Sequence, residues 1–345
     1  MGKEEIDIDI GIDKEEKGRF KAALDAIGAA SRILVTGHLS PDGDSAGCMV
    51  ALVRMLRAAG RQAWASAEAK ALGKLCFLDG TGDFLSPRKL KGRKFDLLVA
   101  VDCASPERMP PEIRPVASAV KTVCIDHHIA GDVSFGDVRI IDSNASSAGE
   151  MVWRLARYAG WGIDASSAEA LWTAIVTDTG RFAYESTSPA TLRIAADLLA
   201  RGVRTSYIND VIYGVQPRRA IELKRRAWRS LHVWKNRLAA EVSLKREDFR
   251  EVRGTKADVE DVIEIPRSVA GVKIALFFYE IPDRTEETRC SIRTRGDIDA
   301  TAIAGVFGGG GHLRAAGCTI AAPIASARRM MRKAVGDMFG AGGRS

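Results

Sequence analysis

The 345-residue sequence predicts an α/β protein with a parallel-sheet domain that has helices on both faces, followed by a smaller mixed-sheet α/β domain. Two observations predict the first domain. Short apolar runs alternate with helix-like patterns, and each of these runs ends in polar residues. The second domain is predicted because strand-like runs precede a closing helix. The predicted boundaries are residues 1–201 for the first domain, 202–231 for a connector and 232–345 for the second domain.

Three apolar runs are predicted to be buried strands of the first domain, at residues 33–36, 96–101 and 122–125. The amphipathic segment 48–60 between the first two predicts a helix. Segment 168–182 fits either a buried helix or a strand, and we expect a helix that ends near Asp178. Ligands of open parallel sheets bind beyond the carboxyl ends of the strands, so the polar clusters there are expected to converge on one crevice.

The second part of the chain predicts a mixed set of elements. Pro217 and a basic helix-like run, residues 218–229, are assigned to the connector. Strands are then expected at residues 237–244, 272–281 and 289–294, a helix near Asp299, and a closing helix at residues 325–339.

Composition excludes several classes of protein. With 46% apolar and 28% charged residues the chain is typical of globular proteins and not of disordered ones. It has no uninterrupted apolar run of about 20 residues, and its first 17 residues are acidic, so we expect a cytoplasmic protein without a membrane partner. The six cysteines are scattered, which favours reduced, mostly buried thiols over disulfides or a cysteine zinc site.

Charge is distributed unevenly along the chain. Residues 201–345 contain 27 Lys and Arg against 17 Asp and Glu, a net charge of +10, whereas residues 1–200 contain 24 against 27. A basic carboxyl-terminal part suits an anionic partner, although a solvated basic face is an equally simple interpretation.

Histidines are concentrated in conspicuous motifs. Of the five in the chain, His38, His127, His128 and His312 lie beside acidic residues or glycines, and only His232 lies outside such motifs. For any one of them, a structural polar group satisfied by its neighbours is an equally good interpretation. Their joint placement favours a functional site.

The first motif, HLSPDGD, begins at His38 and contains Asp42 and Asp44. Pro41 and Gly43 allow the backbone to turn and to direct these side chains towards a common point. An aspartate-rich turn that caps the following helix is the alternative interpretation.

Carboxylates follow the next two strands as well. Asp102 comes directly after the second apolar run, and residues 126–128 (DHH) come directly after the third. Carboxylates brought into one low-dielectric crevice repel each other unless cations compensate or protons bind, so the pattern predicts a metal cluster. Carboxylate and imidazole ligands without thiolates fit several divalent metals, and the excess of oxygen ligands favours manganese or magnesium.

Five segments, taken in order, resemble the motifs of the DHH phosphoesterase superfamily and its associated DHHA1 domain. They are H-x-x-P-D-G-D, D-C-A-S, D-H-H, T-D-T-G and GGGGHLRAAG. The resemblance extends from about Arg32 to Ile320 and is strongest to the branch of nano-RNases (oligoribonucleases) and 3′-phosphoadenosine-5′-phosphate phosphatases. Two positions depart from the family pattern: residues 129–132 (IAGD) lack an expected asparagine, and Asp102 lacks a second acid nearby.

The resemblance implies two divalent metal ions held by six side chains. By position, the implied ligands are His38 and Asp42 for one ion, Asp44, His127 and Asp178 for the other, and Asp102 as a bridge between them. Asp126 and His128 would then support the ligands or the transition state, and with Asp102 they form the predicted catalytic set.

The glycine-rich segment is predicted to bind the substrate's terminal phosphate. Its glycines allow the backbone to approach a phosphate and present N–H groups, while nearby charged side chains add hydrogen bonds. The predicted substrate-binding residues are Arg293, Gly308, Gly309, Gly310, Gly311 and His312. A flexible glycine turn is the alternative interpretation.

Together these features predict a two-metal phosphodiesterase that hydrolyses short single-stranded oligoribonucleotides to nucleoside monophosphates and also dephosphorylates 3′-phosphoadenosine-5′-phosphate. A cyclic dinucleotide phosphodiesterase is the closest alternative, and a non-catalytic nucleotide-binding module is an alternative from a different class. Manganese is the favoured metal. The sequence leaves the oligomeric state open between a monomer and a homodimer.

Overall fold

The computed structural model of the protein describes residues 12–128, 135–280 and 286–340. The chain forms two compact units, Met1–Gly214 and Val215–Ser345. Each unit has its own sheet, with a hydrophobic core on each face of it.

The first unit contains five strands and eight α-helices within the described ranges. The strands are β1 (Arg32–Thr36), β2 (Gln62–Ser66), β3 (Leu97–Val101), β4 (Lys121–Asp126) and β5 (Val138–Ile141). The helices are α1 (Lys14–Ala29), α2 (Gly43–Ala58), α3 (Ala69–Leu72), α4 (Arg114–Ala119), α5 (Ala148–Tyr158), α6 (Ala165–Asp178), α7 (Pro189–Ala200) and α8 (Thr205–Asn209), and a π-helical turn, Asp210–Gly214, follows α8.

The first sheet is entirely parallel, with strand order β2-β1-β3-β4-β5. Alternate residues of its central strands enter two cores: Ile33 and Val35 pack into the larger one under α1, α2, α5 and α6, whereas Leu34 packs into a smaller one on the other face. Because both faces are buried, these strands are continuous apolar runs. The predicted parallel sheet with helices on both faces is confirmed.

The second unit contains six strands and five α-helices within the described ranges. The strands are β6 (His232–Trp234), β7 (Ala239–Leu244), β8 (Ile274–Glu280), β9 (Thr288–Thr294), β10 (Gly310–His312) and β11 (Ala315–Ile320). The helices are α9 (Arg218–Arg229), α10 (Arg246–Val252), α11 (Glu264–Arg267), α12 (Ala300–Gly305) and α13 (Ile324–Gly340).

The second sheet has the order β10-β11-β9-β8-β7-β6 and is mixed, since β7 and β8 are parallel while the other neighbours are antiparallel. Residues of β8 alternate between two cores, one that includes α12 and α13 and one that includes α9, α10 and α11. The predicted smaller mixed α/β domain is confirmed. Every strand and helix predicted from the sequence is present.

Other sequence predictions have mixed outcomes. The six cysteines are free thiols and only Cys76 is exposed, as expected. The predicted connector, residues 202–231, is largely helical and divides between the two units at Gly214, so its role as a connector stays a prediction. Within the described ranges, no helix has both the length and the apolar composition needed to cross a membrane.

Candidate metal centre

In the strand order 2-1-3-4-5, the chain adds strand β2 on one side of β1 and the later strands on the other side. Sheets of this kind bind ligands at the switch point, here between β1 and β3. The HLSPDGD motif follows β1, Asp102 follows β3, and the DHH segment lies at the end of β4. Parallel pairing therefore brings all three motifs to one edge of the sheet. Asp102 has φ of 51°, a left-handed conformation that is strained for a residue other than glycine.

One group of potential ligands comprises His38, Asp42 and Asp102, which offer ligand atoms within 4.8 Å of one another. The Nε2 atom of His38 lies 3.3 Å from Oδ2 of Asp102 and 3.7 Å from Oδ2 of Asp42. Asp42 also caps α2, because its carboxylate accepts a hydrogen bond from the Ser45 N–H at 3.0 Å. The capping interpretation and the ligand interpretation of this aspartate are therefore compatible.

A second group comprises Asp44, His127 and Asp178, again with ligand atoms within 4.8 Å of one another. The Nε2 atom of His127 lies 3.2 Å from Oδ2 of Asp178 and 3.6 Å from Oδ2 of Asp44. These two groups coincide with the two ion sites implied by the sequence motifs. The assignment of each side chain as a ligand stays a prediction.

Asp126 and His128 form a close pair beside these groups. The Nδ1 atom of His128 lies 2.6 Å from Oδ1 of Asp126 and 3.4 Å from Oδ1 of Asp102. Although burial opposes it, hydrogen bonding from His128 holds the pKa of Asp126 below its usual value, and the same bond raises the pKa of His128. The pair therefore favours an ionised carboxylate against a protonated imidazole.

The site is electrostatically incomplete without cations. Burial raises the pKa of Asp44 and Asp102, and it raises the pKa of Asp178 to about 7 with help from neighbouring carboxylates. Burial acts to lower the pKa of His38, but hydrogen bonding to Asp102 and Asp42 outweighs it and raises that pKa to about 9. Without cations, these carboxyl groups and His38 retain protons that reduce the repulsion between the carboxylates; bound cations would take over that role.

Three buried polar atoms of the cluster make no hydrogen bond to the described part of the chain. They are Oδ1 of Asp102, Oδ2 of Asp126 and Nε2 of His127. Buried polar groups are normally satisfied, so unpartnered oxygen and nitrogen atoms at one point indicate a missing ligand. Burial and the neighbouring His128 lower the pKa of His127, which favours the neutral imidazole that metal binding requires. This donor set fits a pair of divalent cations.

Two glycines of α2 allow the helix to approach α6 closely. A Cβ at Gly43 would lie 2.3 Å from the Thr177 side chain, and a Cβ at Gly47 would lie 2.3 Å from the backbone oxygen of Ala170. This contact places Asp44, at the start of α2, beside Asp178, at the end of α6. Sequence reasoning missed it, although the Gly-x-x-x-Gly spacing within a helical pattern was a usable signal.

The carboxylate of Asp44 is held by the first turn of α5. It accepts hydrogen bonds from the N–H groups of Ala148, at 2.7 Å, and Gly149, at 2.8 Å. Free N–H groups and the helix dipole make a helix start a good position for a carboxylate. The sequence signal for this helix start was Ser147-x-x-Glu150, whose serine caps α5.

Comparison with known sequences identifies both units. The sequence model of the DHH family, N-terminal domain, matches residues 32–177, and that of the DHHA1 domain matches residues 245–342. A bifunctional oligoribonuclease and PAP phosphatase of Thermus thermophilus is 32% identical over 84% of this chain and 84% of its own length. This chain belongs to the DHH family. The resemblance stated from the motifs is confirmed.

Other relatives of this DHH-family chain match most of its length. A bifunctional oligoribonuclease and PAP phosphatase of Bacillus subtilis is 27% identical over 84% of this chain and 89% of its own length. The crystal structure of an exopolyphosphatase-related protein from Bacteroides fragilis superposes with a TM-score of 0.87 and 24% identity, covering 96% of this chain and 98% of the other. The last similarity confirms the fold.

In the DHHA1 domain, the glycine-rich segment includes the edge strand β10. Its register places His312 opposite Ala315, which pairs in turn with Arg293 of β9. Arg293 is half-buried and lies on the face of β9 opposite the buried Cys290 and Ile292. The predicted substrate-binding residues thus share one corner of the second sheet.

Only some of these glycines have a structural reason to be glycine. Gly308 has φ of 66°, and a Cβ at Gly309 or Gly311 would lie 2.4 Å from a backbone oxygen of β11. At Gly310, no atom of the described residues lies within 4 Å of where a Cβ would be. Open space beside Gly310 is compatible with close approach of a ligand.

Proposed function

We propose that this protein is a two-metal phosphodiesterase that hydrolyses short oligoribonucleotides to nucleoside monophosphates, and that it also removes a phosphate from 3′-phosphoadenosine-5′-phosphate. The observation that carries the proposal is the pair of ligand groups at the switch point, one of which includes the buried, strained Asp102. Relatives named as oligoribonuclease and PAP phosphatase support the choice of substrates.

The metal ions are proposed to be manganese, with magnesium as an alternative. His38 and Asp42 would hold one ion, Asp44, His127 and Asp178 would hold the other, and Asp102 would contact both. When bound, two such ions polarise the phosphoester and balance charge on the attacking and leaving oxygens of an in-line displacement. Four aspartates and two divalent cations carry no net charge, which removes the repulsion described above.

The remaining residues of the site, Asp126 and His128, are proposed to orient a hydrogen-bond donor towards the substrate. Asp126 holds Nδ1 of His128 at 2.6 Å, which directs Nε2 to the opposite side of the imidazole ring. We assign to Nε2 of the protonated His128 the role of donating a hydrogen bond to the phosphoryl group or to the leaving oxygen. Asp126 acts through His128 and is therefore a positioning residue.

The DHHA1 domain is proposed to select short substrates. Arg293 and His312 would bind the terminal phosphate through charge-assisted hydrogen bonds, and the backbone at Gly310 would lie against it. The net charge of +10 in residues 201–345 favours such an anion.

The test is hydrolysis of di- to pentaribonucleotides by the purified protein with Mn²⁺, Mg²⁺ or EDTA, with a cyclic dinucleotide assayed in parallel. We expect release of nucleoside monophosphates that depends on the metal. If no oligonucleotide is cleaved with any divalent ion, the proposal is wrong. Preference for the cyclic dinucleotide would instead support the alternative phosphodiesterase.

Variants distinguish loss of the metal centre from general damage to the fold. Asp102→Asn and His127→Ala are expected to lose bound metal, measured by elemental analysis, and at least 100-fold in kcat. His232→Ala provides a matched control, because His232 is exposed and outside the site. Equal nucleotide affinity before and after chelation, with no turnover, would favour a non-catalytic binding module. A cytoplasmic location and a homodimer stay predictions.

A further inference from the structure

Helix α6 ends at Asp178 in a turn where three consecutive residues have positive φ. Gly180, with φ of 55°, is the glycine that such a helix end commonly requires. The N–H of Arg181 donates to the oxygen of Val176 at 2.8 Å, which closes the last turn. A Cβ at Gly180 would lie 2.4 Å from the ring of Tyr184, so any other residue would displace that exposed side chain.

The next two residues of this turn are also strained. Arg181 and Phe182 both have φ of 63°, a conformation that side chains other than glycine rarely adopt. A single left-handed residue, Gly180, is enough to end the helix. Strained backbone of this kind is concentrated at active sites and ligand contacts, so the position of these two side chains requires a reason.

Both strained side chains line a cavity of about 280 Å³ in the first unit. The guanidinium carbon of Arg181 lies 4.8 Å from the centroid of the Tyr213 ring. The rings of Phe182 and Trp172 pack edge to face, with their centroids 5.6 Å apart. Polar residues complete the wall; they include Thr205, Ser206 and Asn209. The cavity wall is therefore mainly apolar and aromatic, with a few polar side chains.

The cavity lies at the carboxyl end of helix α6, which also carries Asp178 of the candidate metal centre. Two residues that line it, Val176 and Arg181, flank Asp178 in the sequence, at the end of the helix that carries this carboxylate. The charge of Asp178 also affects Tyr213, another residue that lines the cavity. Burial is the main cause that raises the pKa of Tyr213, and Asp178 makes a smaller contribution in the same direction. The cavity and one of the candidate metal ligands are thus carried by the same helix end.

We propose that this cavity binds the nucleobase of the nucleotide whose phosphate lies at the metal centre, with Arg181 as a substrate-binding residue that stacks on the base. The proposal rests on the proposed function. Guanidinium and aromatic groups stack on bases of any sequence, as a general oligonucleotide hydrolase requires. The volume suits a single base, since pockets for drug-sized ligands begin near roughly 300 Å³.

The experiment compares Arg181→Gly with wild type on a ribodinucleotide and on two analogues, abasic at the 5′ or at the 3′ unit. Glycine relieves the strained φ and removes the stacking group. For the ribodinucleotide we expect kcat/KM to fall about 5- to 150-fold, the effect of losing one base stack. For one analogue the fall should be less than about twofold, because its missing base is the one that Arg181 would contact.

Arg253→Gly is the matched control. Arg253 is an exposed arginine with φ of 54° at the end of α10, so this variant relieves the same strain without touching the cavity. Its kcat/KM should be unchanged on all three substrates. Thermal unfolding of both variants checks that the fold is intact.

Two results would overturn the proposal. One is an Arg181→Gly variant with unchanged activity, and the other is an equal loss on all three substrates. Equilibrium binding to the metal-loaded protein gives a separate readout, in which a nucleoside 5′-monophosphate should bind more tightly than ribose 5-phosphate, and Arg181→Gly should abolish the difference. Wild-type protein that cleaves no dinucleotide but still shows this difference would refute the proposed function and leave the base pocket supported.

Discussion

Gly47 of α2 controls the distance between the two helices that carry Asp44 and Asp178. A Cβ at position 47 would lie 2.3 Å from the backbone oxygen of Ala170 and 3.1 Å from the Cβ of Ala174. Carbon atoms normally approach a carbonyl oxygen no closer than about 3.3 Å. Because the clash is with backbone, Gly47→Ala would have to move α2 away from α6 by about 1 Å.

That displacement is large on the scale of a metal site. Ligand distances in such sites are held to about 0.2 Å, so a 1 Å separation of Asp44 from Asp178 should weaken metal binding by about 10- to 100-fold. Overpacking typically costs about 1–3 kcal/mol, whereas replacing a helical glycine by alanine returns about 0.5–1 kcal/mol. We therefore expect a net loss of about 1–2 kcal/mol in the free energy of unfolding.

Gly18→Ala is the matched control, because Gly18 lies within α1 and no described atom lies within 4 Å of a Cβ there. It should stabilise the protein by about 0.5–1 kcal/mol and leave metal affinity unchanged. Urea unfolding measures the first quantity, and calorimetric titration with Mn²⁺ measures the second. A Gly47→Ala variant that behaves like Gly18→Ala in both assays would refute the close-packing argument.

Three further predictions concern pH, a buried ion cluster and the glycine-rich strand. Metal-free protein should lose stability as pH rises from about 4 to 7, since the folded state raises the pKa of Asp178 from 3.8 to about 7 and so binds a proton that the unfolded state has released. Thermal unfolding in EDTA should show a smaller loss in Asp178→Asn than in wild type, because the raised pKa of Asp44 and that of Asp102 contribute in both proteins. Glu241→Gln should lower the free energy of unfolding by about 1–3 kcal/mol, measured with urea, because the fully buried Glu241 accepts hydrogen bonds from two arginines of α13. An unchanged free energy of unfolding would show that solvent satisfies these arginines instead. Gly310→Ala should leave the unfolding midpoint unchanged and weaken oligonucleotide binding by about tenfold. Gly309→Ala, whose Cβ would lie 2.4 Å from a backbone oxygen, should lower the unfolding midpoint. A lower midpoint for Gly310→Ala than for Gly309→Ala would contradict this account of β10.

The central strands of the first sheet could be predicted because both of their faces are buried. β1, β3 and β4 are therefore continuous apolar runs, and each ends in a polar motif. The outer strands β2 and β5 were missed, since their sequences, QAWAS and VRII, are short and mix polar with apolar residues. Edge strands have one unpaired side and need fewer apolar residues, so their local signal is weak.

The convergence of the motifs could also be predicted, because parallel strands end at the same edge of a sheet. The partition into two groups of ligands followed from family resemblance. Neither argument supplies the contacts that fix distances, such as the Gly47 approach to α6 or the α5 amides that hold Asp44. Those contacts join segments about 100 residues or more apart in the chain, and short-range patterns carry no information about them.

Backbone strain in the first unit has a distribution that packing alone does not explain. Among its described residues other than glycine, positive φ occurs only at Asp102, Arg181 and Phe182. Asp102 ends a strand at the metal centre, and the other two follow the helix end that carries Asp178. A fold that needed left-handed residues only for turns could place glycine at all three positions, as it does at Gly180. Retaining the side chains despite the strain indicates that their chemistry is needed there, the carboxylate for cations and the arginine and phenylalanine for the cavity wall.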